Sequence, residues 1–296
     1  MTASDPRLTG PMPVPPAGVA ATPSRWRGGA ASPGARMLAE EVAVALTYNR
    51  ATHAVMLASP SDLEDFAVGF SLSEAIVRDP AEIEELEVHG GPDGVEVRMW
   101  LAEAPVAALH ARRRTLAGPS GCGLCGLDSL AQALRASPPV SASLRITADD
   151  ITAALAALPA AQALNRETGA VHAAGLYRPG SRSRGGGLLL LREDIGRHNA
   201  LDKLAGAAAR AGVSAAGAMV VTTSRVSVEL VQKAAVMGSP VLVAISAPTA
   251  LAVRTAEAAG ITLVAVARAD GFEVFSHPGR IVAGIGAQID GGRDAG

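Results

Sequence analysis

Three short apolar runs in the second half of the chain limit its fold most strongly. Met219-Val220-Val221, Val241-Leu242-Val243 and Ile261-Thr262-Leu263-Val264 do not alternate apolar with polar residues. A strand with one wet face alternates, so these runs predict strands buried on both faces, as in a parallel sheet covered by helices. Helical patterns at 199–211, 226–237 and 251–259 separate them, and strand patterns at 171–177, 188–191 and 272–275 flank them. Thr147-Ala148-Asp149-Asp150 caps a further helix running through Leu155, Leu158 and Leu164. The alternation of strand and helix predicts an α/β fold, a three-layer domain with a mixed sheet.

In such a sheet, ligands collect at the C-terminal ends of the parallel strands. Here the first run ends in Thr222-Thr223-Ser224-Arg225 and the second in Ser246-Ala247-Pro248-Thr249. Hydroxyls, backbone N–H groups and helix dipoles then converge on one rim, the outline of an anion or phosphate site. Ser224 and Thr249 also read as ordinary helix caps. Two such loops with Arg225 between them point to a nucleotide-type ligand.

The densest polar stretch is Arg192-Glu193-Asp194-Ile195-Gly196-Arg197-His198-Asn199-Ala200-Leu201-Asp202-Lys203. Asp194 is suited to accept from Arg or His, Arg197 to grip phosphate and His198 to shuttle a proton. The competing reading is a solvated helix start with a few ion pairs. His172, beside small apolar residues, is either structural or part of the same site.

Both cysteines of the chain lie in Gly118-Pro119-Ser120-Gly121-Cys122-Gly123-Leu124-Cys125-Gly126. Glycine and proline keep this segment out of regular structure. The apolar spacing of Leu127, Leu130 and Leu134 starts a helix just after it, and Arg112-Arg113-Arg114 lies upstream. A helix N-terminus and nearby cations lower a thiol pKa from ~8.5 toward ~4–7, which would make Cys122 or Cys125 a nucleophile. Spacing alone leaves a half zinc site, a redox dithiol and a sulfur-transfer site open.

A net charge of −2 gives no general attraction to nucleic acid or a membrane surface. Two close cysteines suit a reducing cytoplasm, and no apolar run is long enough to span a bilayer. Residues 1–36, rich in Pro, Gly, Ala and Ser, are expected to be a disordered tail. Residues 37–117 read as a small α+β domain. Its strands fall at 42–46 and 53–57, its helix behind a Ser61/Glu64 capping box, and its hairpin around Gly90-Gly91-Pro92-Asp93-Gly94. A mobile cysteine loop at 118–130, the α/β domain at 131–285 and a second disordered tail at 286–296 complete the division.

With these residues in view, the chain resembles the FdhD family of formate dehydrogenase accessory sulfurtransferases. The resemblance rests on Leu46-Thr47-Tyr48-Asn49, Ser59-Pro60-Ser61-Asp62-Leu63-Glu64-Asp65-Phe66-Ala67-Val68-Gly69-Phe70 and Cys122-Gly123-Leu124-Cys125-Gly126. It continues through His172-Ala173-Ala174-Gly175-Leu176, the stretch from Arg192 to Lys203, Glu229-Leu230-Val231-Gln232-Lys233-Ala234 and Ser246-Ala247-Pro248-Thr249. It implies a cytoplasmic sulfurtransferase whose α/β domain is similar to the cytidine deaminase fold. The implied partners are a cysteine desulfurase as sulfur donor, formate dehydrogenase as client and a second copy in a homodimer. The implied substrate is the molybdenum cofactor carrying two molybdopterin guanine dinucleotides, and no permanently bound metal is expected. The resemblance makes Cys122 the persulfide position, with Cys125 available to resolve or relay it. It maps a cofactor-binding stretch onto Val266-Ala267-Arg268-Ala269-Asp270-Gly271, where Asp270-Gly271 replaces a more basic turn.

Two other functions stand beside this one. A zinc-dependent deaminase pairs its cysteines with a His-x-Glu. Here Ala173-Ala174 follows His172, and the cysteines precede the histidine. A non-enzymatic cofactor chaperone would bind and deliver without needing either cysteine.

Overall fold

The computed structural model describes residues 12–103, 105, 137–180 and 185–283. The cysteine loop, residues 1–11 and residues 286–296 lie outside the described residues. The expectation of a disordered tail through residue 36 is corrected. Strand β1 (Gly18–Ala21) pairs antiparallel with β4 (Arg36–Ala39), and β2 (Ser24–Arg27) with β3 (Ala30–Pro33). Composition missed two local causes. Gly28 and Gly29, at φ 57° and 81°, supply the left-handed turn that closes the β2–β3 hairpin. In addition, the Arg36 guanidinium donates to the Thr168 carbonyl at 3.2 Å, fastening the segment to the body.

The strands and hairpin expected after residue 41 are present. Strands β5 (Val42–Tyr48), β6 (Ala51–Ala58), β7 (Ile83–Gly91) and β8 (Gly94–Leu101) make a sheet in the order β6-β5-β8-β7. Helix α1 (Leu63–Ser73) covers one face, burying Phe66 and Phe70 against Val44, Leu46, Val97 and Met99. The helix start differs from expectation. Asp62 is the N-cap, with φ 51° and no side-chain cap bond. Glu64, expected to close a capping box, instead pairs with Arg210.

In the second unit, β9 (Ile146–Thr147) leads into α2 (Ala148–Ala161), capped by the expected reciprocal bonds between Thr147 and Asp150. The helix expected to run through Leu164 instead breaks at Gln162, three residues after Pro159, and resumes as α3 (Ala163–Thr168). A six-stranded mixed sheet follows, in the order β11-β10-β12-β13-β14-β15. It consists of β10 (His172–Arg178), β11 (Gly187–Asp194), β12 (Met219–Thr222), β13 (Val241–Ala244), β14 (Thr262–Arg268) and β15 (Gly271–Ser276). The three unalternating runs are β12, β13 and β14, and they pair parallel. A parallel pair joins β16 (Ile281–Val282) to β9.

Both faces of this sheet are covered. Val220, Leu242 and Leu263 pack under α4 (Arg197–Arg210), α5 (Val228–Val236) and α6 (Ala250–Ala259). Met219, Val221, Val241, Val243 and Val264 face α2 through Ile151, Ala154 and Leu158. Each aliphatic side chain fully buried this way contributes about 1.5–3 kcal/mol.

The two units meet where α1 crosses α4. A Cβ on Gly69 would lie 1.8 Å from the Asp202 carbonyl oxygen, and one on Gly206 would lie 1.9 Å from that of Asp65. Only glycine lets the helix backbones approach this closely.

Candidate functional site

The sheet topology brings most of the predicted site residues to one edge. Strand β10 runs antiparallel to β12, so its first residue, His172, lies at the end where β12, β13 and β14 finish. In the β10–β11 register, His172 is opposite Asp194, so the stretch after β11 starts at the same edge. The loops there are stitched by backbone bonds. Ile245 N donates to Thr222 O at 3.0 Å, Val226 N to Ala247 O at 3.2 Å, and Val266 N to Ser246 O at 3.2 Å. Helices α4, α5 and α6 all begin at this rim, with their unpaired N–H groups and positive dipole ends.

Four basic side chains define the centre. Arg197 and His198 occupy the first turn of α4 rather than a loop before it. Burial first, and then the cations of Arg197 and Arg225, push the His172 imidazole below its ordinary pKa; Asp194 partly opposes this, and His198 adds a smaller downward push. Arg225 is exposed, as a rim residue should be. The Nε atom of Arg197 is buried with no hydrogen-bond partner. An unmet buried donor costs about 1–3 kcal/mol, so this atom is suited to an acceptor brought by a ligand. An anion between these groups would meet that donor and also favour a proton on His172.

Other predicted residues have different roles. Ser224 is 1% exposed, and its hydroxyl contacts Thr222 Oγ1 at 3.1 Å and the Arg225 carbonyl at 3.0 Å, so it shapes the loop from inside. Ser227, not Ser224, is the N-cap of α5. Thr249 caps α6 by accepting from Ala252 N at 3.2 Å, as its alternative reading held. Ser246 is half-buried at the rim. Val266-Ala267-Arg268-Ala269-Asp270-Gly271 spans the end of β14, the turn at Ala269-Asp270 and the start of β15. Val266 sits there at φ 52°, in a bulge of that pair, a strained conformation for a β-branched side chain. Ala267 is buried, and Arg268 folds back to donate to the carbonyls of Ala267 and Ile245.

Asp194 is corrected most clearly. It was expected to face the ligand, yet it is fully buried in the joint between the two units. Its carboxylate pairs with Lys203 Nζ at 2.6 Å and accepts from Ser59 N at 3.0 Å, Gly196 N at 2.7 Å and Asn199 Nδ2 at 3.0 Å. Lys203 completes its own set by donating to Ser59 O at 2.9 Å. Gly196, the α4 N-cap, has no side chain to cap with, and Asp194 instead accepts from its backbone N–H and from the Asn199 side chain, bracing the turn before the helix. The residue therefore acts on the rim indirectly, by fixing the turn that carries Arg197 and His198.

Its neighbours are occupied in the same way. Arg192 and Arg210 both bind Asp65 on α1, at 2.7 and 2.6 Å. Glu193 caps α3 through Leu164 N at 2.8 Å and Asn165 N at 2.9 Å. Asp202, whose carboxyl burial pushes up against the pull of Lys233, holds that lysine at 2.7 Å. Among the described residues, no three His, Cys, Asp or Glu side chains converge as a metal site. Ser227 and Glu229 flank His198, and neither stands out by residue type in the sequence. Glu229 lay inside a matched stretch, and that was its only signal.

The sequence pattern of the FdhD/NarQ family matches residues 39–282. The chain belongs to that family. Its N-terminal β1–β3 lie outside the FdhD/NarQ match, whereas both buried cores and the whole rim lie within it. Among FdhD/NarQ relatives, the sulfur carrier protein FdhD of Agrobacterium fabrum is 54% identical over 257 residues, covering 86% of this chain and 93% of that protein. The protein of the same name from Cupriavidus necator is 48% identical, covering 87% and 88%. A crystal structure from Desulfotalea psychrophila, described as a candidate formate dehydrogenase accessory protein, aligns with a TM-score of 0.70 at 25% identity. It covers 90% of this chain and all of that one.

Proposed function

We propose that this protein is a sulfurtransferase that carries sulfur on Cys122 and delivers it to an anionic, dinucleotide-bearing molybdenum cofactor destined for formate dehydrogenase. The observation that carries the ligand half is the unpartnered Arg197 Nε, set among His172, Arg225 and three helix starts. A pyrophosphate-bearing substrate supplies the acceptors this rim lacks. The sulfur half is supported by the printed names of the relatives and by the glycine-flanked Cys122–Cys125 pair, which lies outside the described residues. The covered mixed sheet supports reading the larger unit as a cytidine-deaminase-type domain.

In the first step, the Cys122 thiolate attacks the outer sulfur of a persulfide on a cysteine desulfurase. A new S–S bond forms on Cys122, and the desulfurase cysteine leaves as a thiolate. The cofactor is the substrate of the second step, and its phosphates are held at the rim by Arg197, Arg225 and the amides at the helix starts. Arg268 and the Val266–Gly271 stretch extend this surface, and Ser246 lines it.

The test is intact mass after incubation with a cysteine desulfurase and cysteine. Wild type gains one sulfur, and Cys122→Ser gains none and leaves formate dehydrogenase inactive. A normal adduct and an active client in that variant would refute the assignment.

A further inference from the structure

Ser227 is the N-cap of α5, but its hydroxyl makes no cap bond to the helix. It turns instead to His198, with Oγ 3.4 Å from Nε2. Glu229 reaches the same ring nitrogen, with Oε2 3.7 Å away, and both side chains are only 20% exposed. The other ring nitrogen, Nδ1, has no hydrogen-bond partner among the described residues. We propose that Glu229, assisted by Ser227, is the positioning residue for His198, fixing the proton on Nε2 and leaving Nδ1 as the atom that exchanges a proton with substrate at the rim.

The chemistry follows from the inventory of donors and acceptors. An ionised carboxylate only accepts, so it favours a proton on the imidazole nitrogen that faces it, here at 3.7 Å. Glu229 is ionised throughout the physiological range. Chiefly His198, and then the Ser227 hydroxyl and the backbone at the helix start, hold its pKa down to about 2 against the cost of burial. A neutral imidazole with its proton on Nε2 has a lone pair on Nδ1, the arrangement a base requires. Arg197 adjoins His198 in the chain, and His172, which His198 influences, also feels Arg197, Arg225 and Asp194. His172 is pushed toward its neutral form by burial and two arginines, so Glu229 singles out His198 as the rim imidazole with a fixed tautomer.

This inference rests on the reading that substrate occupies the rim, and its main readout does not depend on that reading. Histidine-labelled protein is observed by long-range 1H–15N NMR at alkaline pH. Wild type is expected to show His198 wholly as the Nε2–H tautomer. Glu229→Gln offers both a donor and an acceptor, and is expected to give a mixture with Nδ1–H. An Nδ1–H tautomer in wild type, which needs no variant to detect, would overturn the assignment, as would an unchanged tautomer in Glu229→Gln. Sulfur transfer from pre-loaded Cys122 persulfide should slow about tenfold or more in Glu229→Gln, while GDP affinity stays within about twofold. An unslowed transfer beside a shifted tautomer would remove the catalytic consequence and overturn the proposal. Wild type that transfers no sulfur, yet shows the fixed tautomer, would count against the sulfurtransferase reading alone.

Discussion

The joint and the rim are both built from the stretch between Arg192 and Lys203, and they treat charge in opposite ways. At the joint, Asp194, Lys203, Asp202 and Lys233 are buried, and each carboxylate faces a cation. At the rim, the cations Arg197 and Arg225 both act on His172, and one buried donor has no partner. Satisfied charge in the interior fixes geometry, because removing one partner leaves the other stranded. Unsatisfied charge at an edge is held ready for something else. A single turn around Gly196 separates the two, with Asp194 holding the joint on one side and Arg197 opening the rim on the other.

Removing the joint's cation should have the largest effect. Lys203→Ala leaves the Asp194 carboxylate buried without its counter-ion, which costs about 3–5 kcal/mol. Urea unfolding should show that loss, and a change under 1 kcal/mol would mean that the joint charges are not a structural lock.

Removing charge from the rim should do the reverse. Arg197→Ala should weaken GDP binding about tenfold to a hundredfold, the contribution of a charge-assisted contact. Its unfolding free energy should not fall, and should rise by up to about 1–3 kcal/mol as the unmet buried donor is removed. Calorimetric titration measures the first and urea unfolding the second. Intact binding with lost stability would move Arg197 from the rim to the joint.

The smallest effect is expected at the N-terminus, which belongs to neither region. Starting the chain at Met37 deletes β1–β3, the Arg36–Thr168 hydrogen bond, the Met12–Gly90 bridge and the packing of Val14 on the smaller core, a loss of about 1–2 kcal/mol. A shift of several kcal/mol in the urea midpoint analysis would show that these strands are integral to the body.

The sheet was legible because burial on both faces removes alternation, and three such short runs are separated by helical patterns. The rim followed from it, since strand ends in a parallel sheet collect the loops. Depth was not legible within the polar stretch. Asp194 and Arg197 look equally exposed in a sequence, because what buries Asp194 is Ser59, 135 residues away. Local hydroxyls were misassigned for a related reason. Ser224 and Ser227 are equally good caps by type, and only the three-dimensional turn puts Ser227 at the helix start. The strands before residue 36 escaped a composition argument, which counts apolar surface and overlooks a turn and one well-placed arginine.

The contact between Gly69 and Gly206 couples the folding of the two units. Each has its own hydrophobic core, an arrangement that in many proteins allows one part to open while the other persists. Here backbone rests on backbone, with no side chain between to yield by changing rotamer. The contact cannot loosen by degrees; it is either made or lost. If it is lost, Asp65 parts from Arg192 and Arg210, and Ser59 from Asp194 and Lys203, in the same event. Two cores joined in this way behave as one cooperative unit, so the rim remains formed only while the smaller sheet, which contributes nothing to it directly, stays folded.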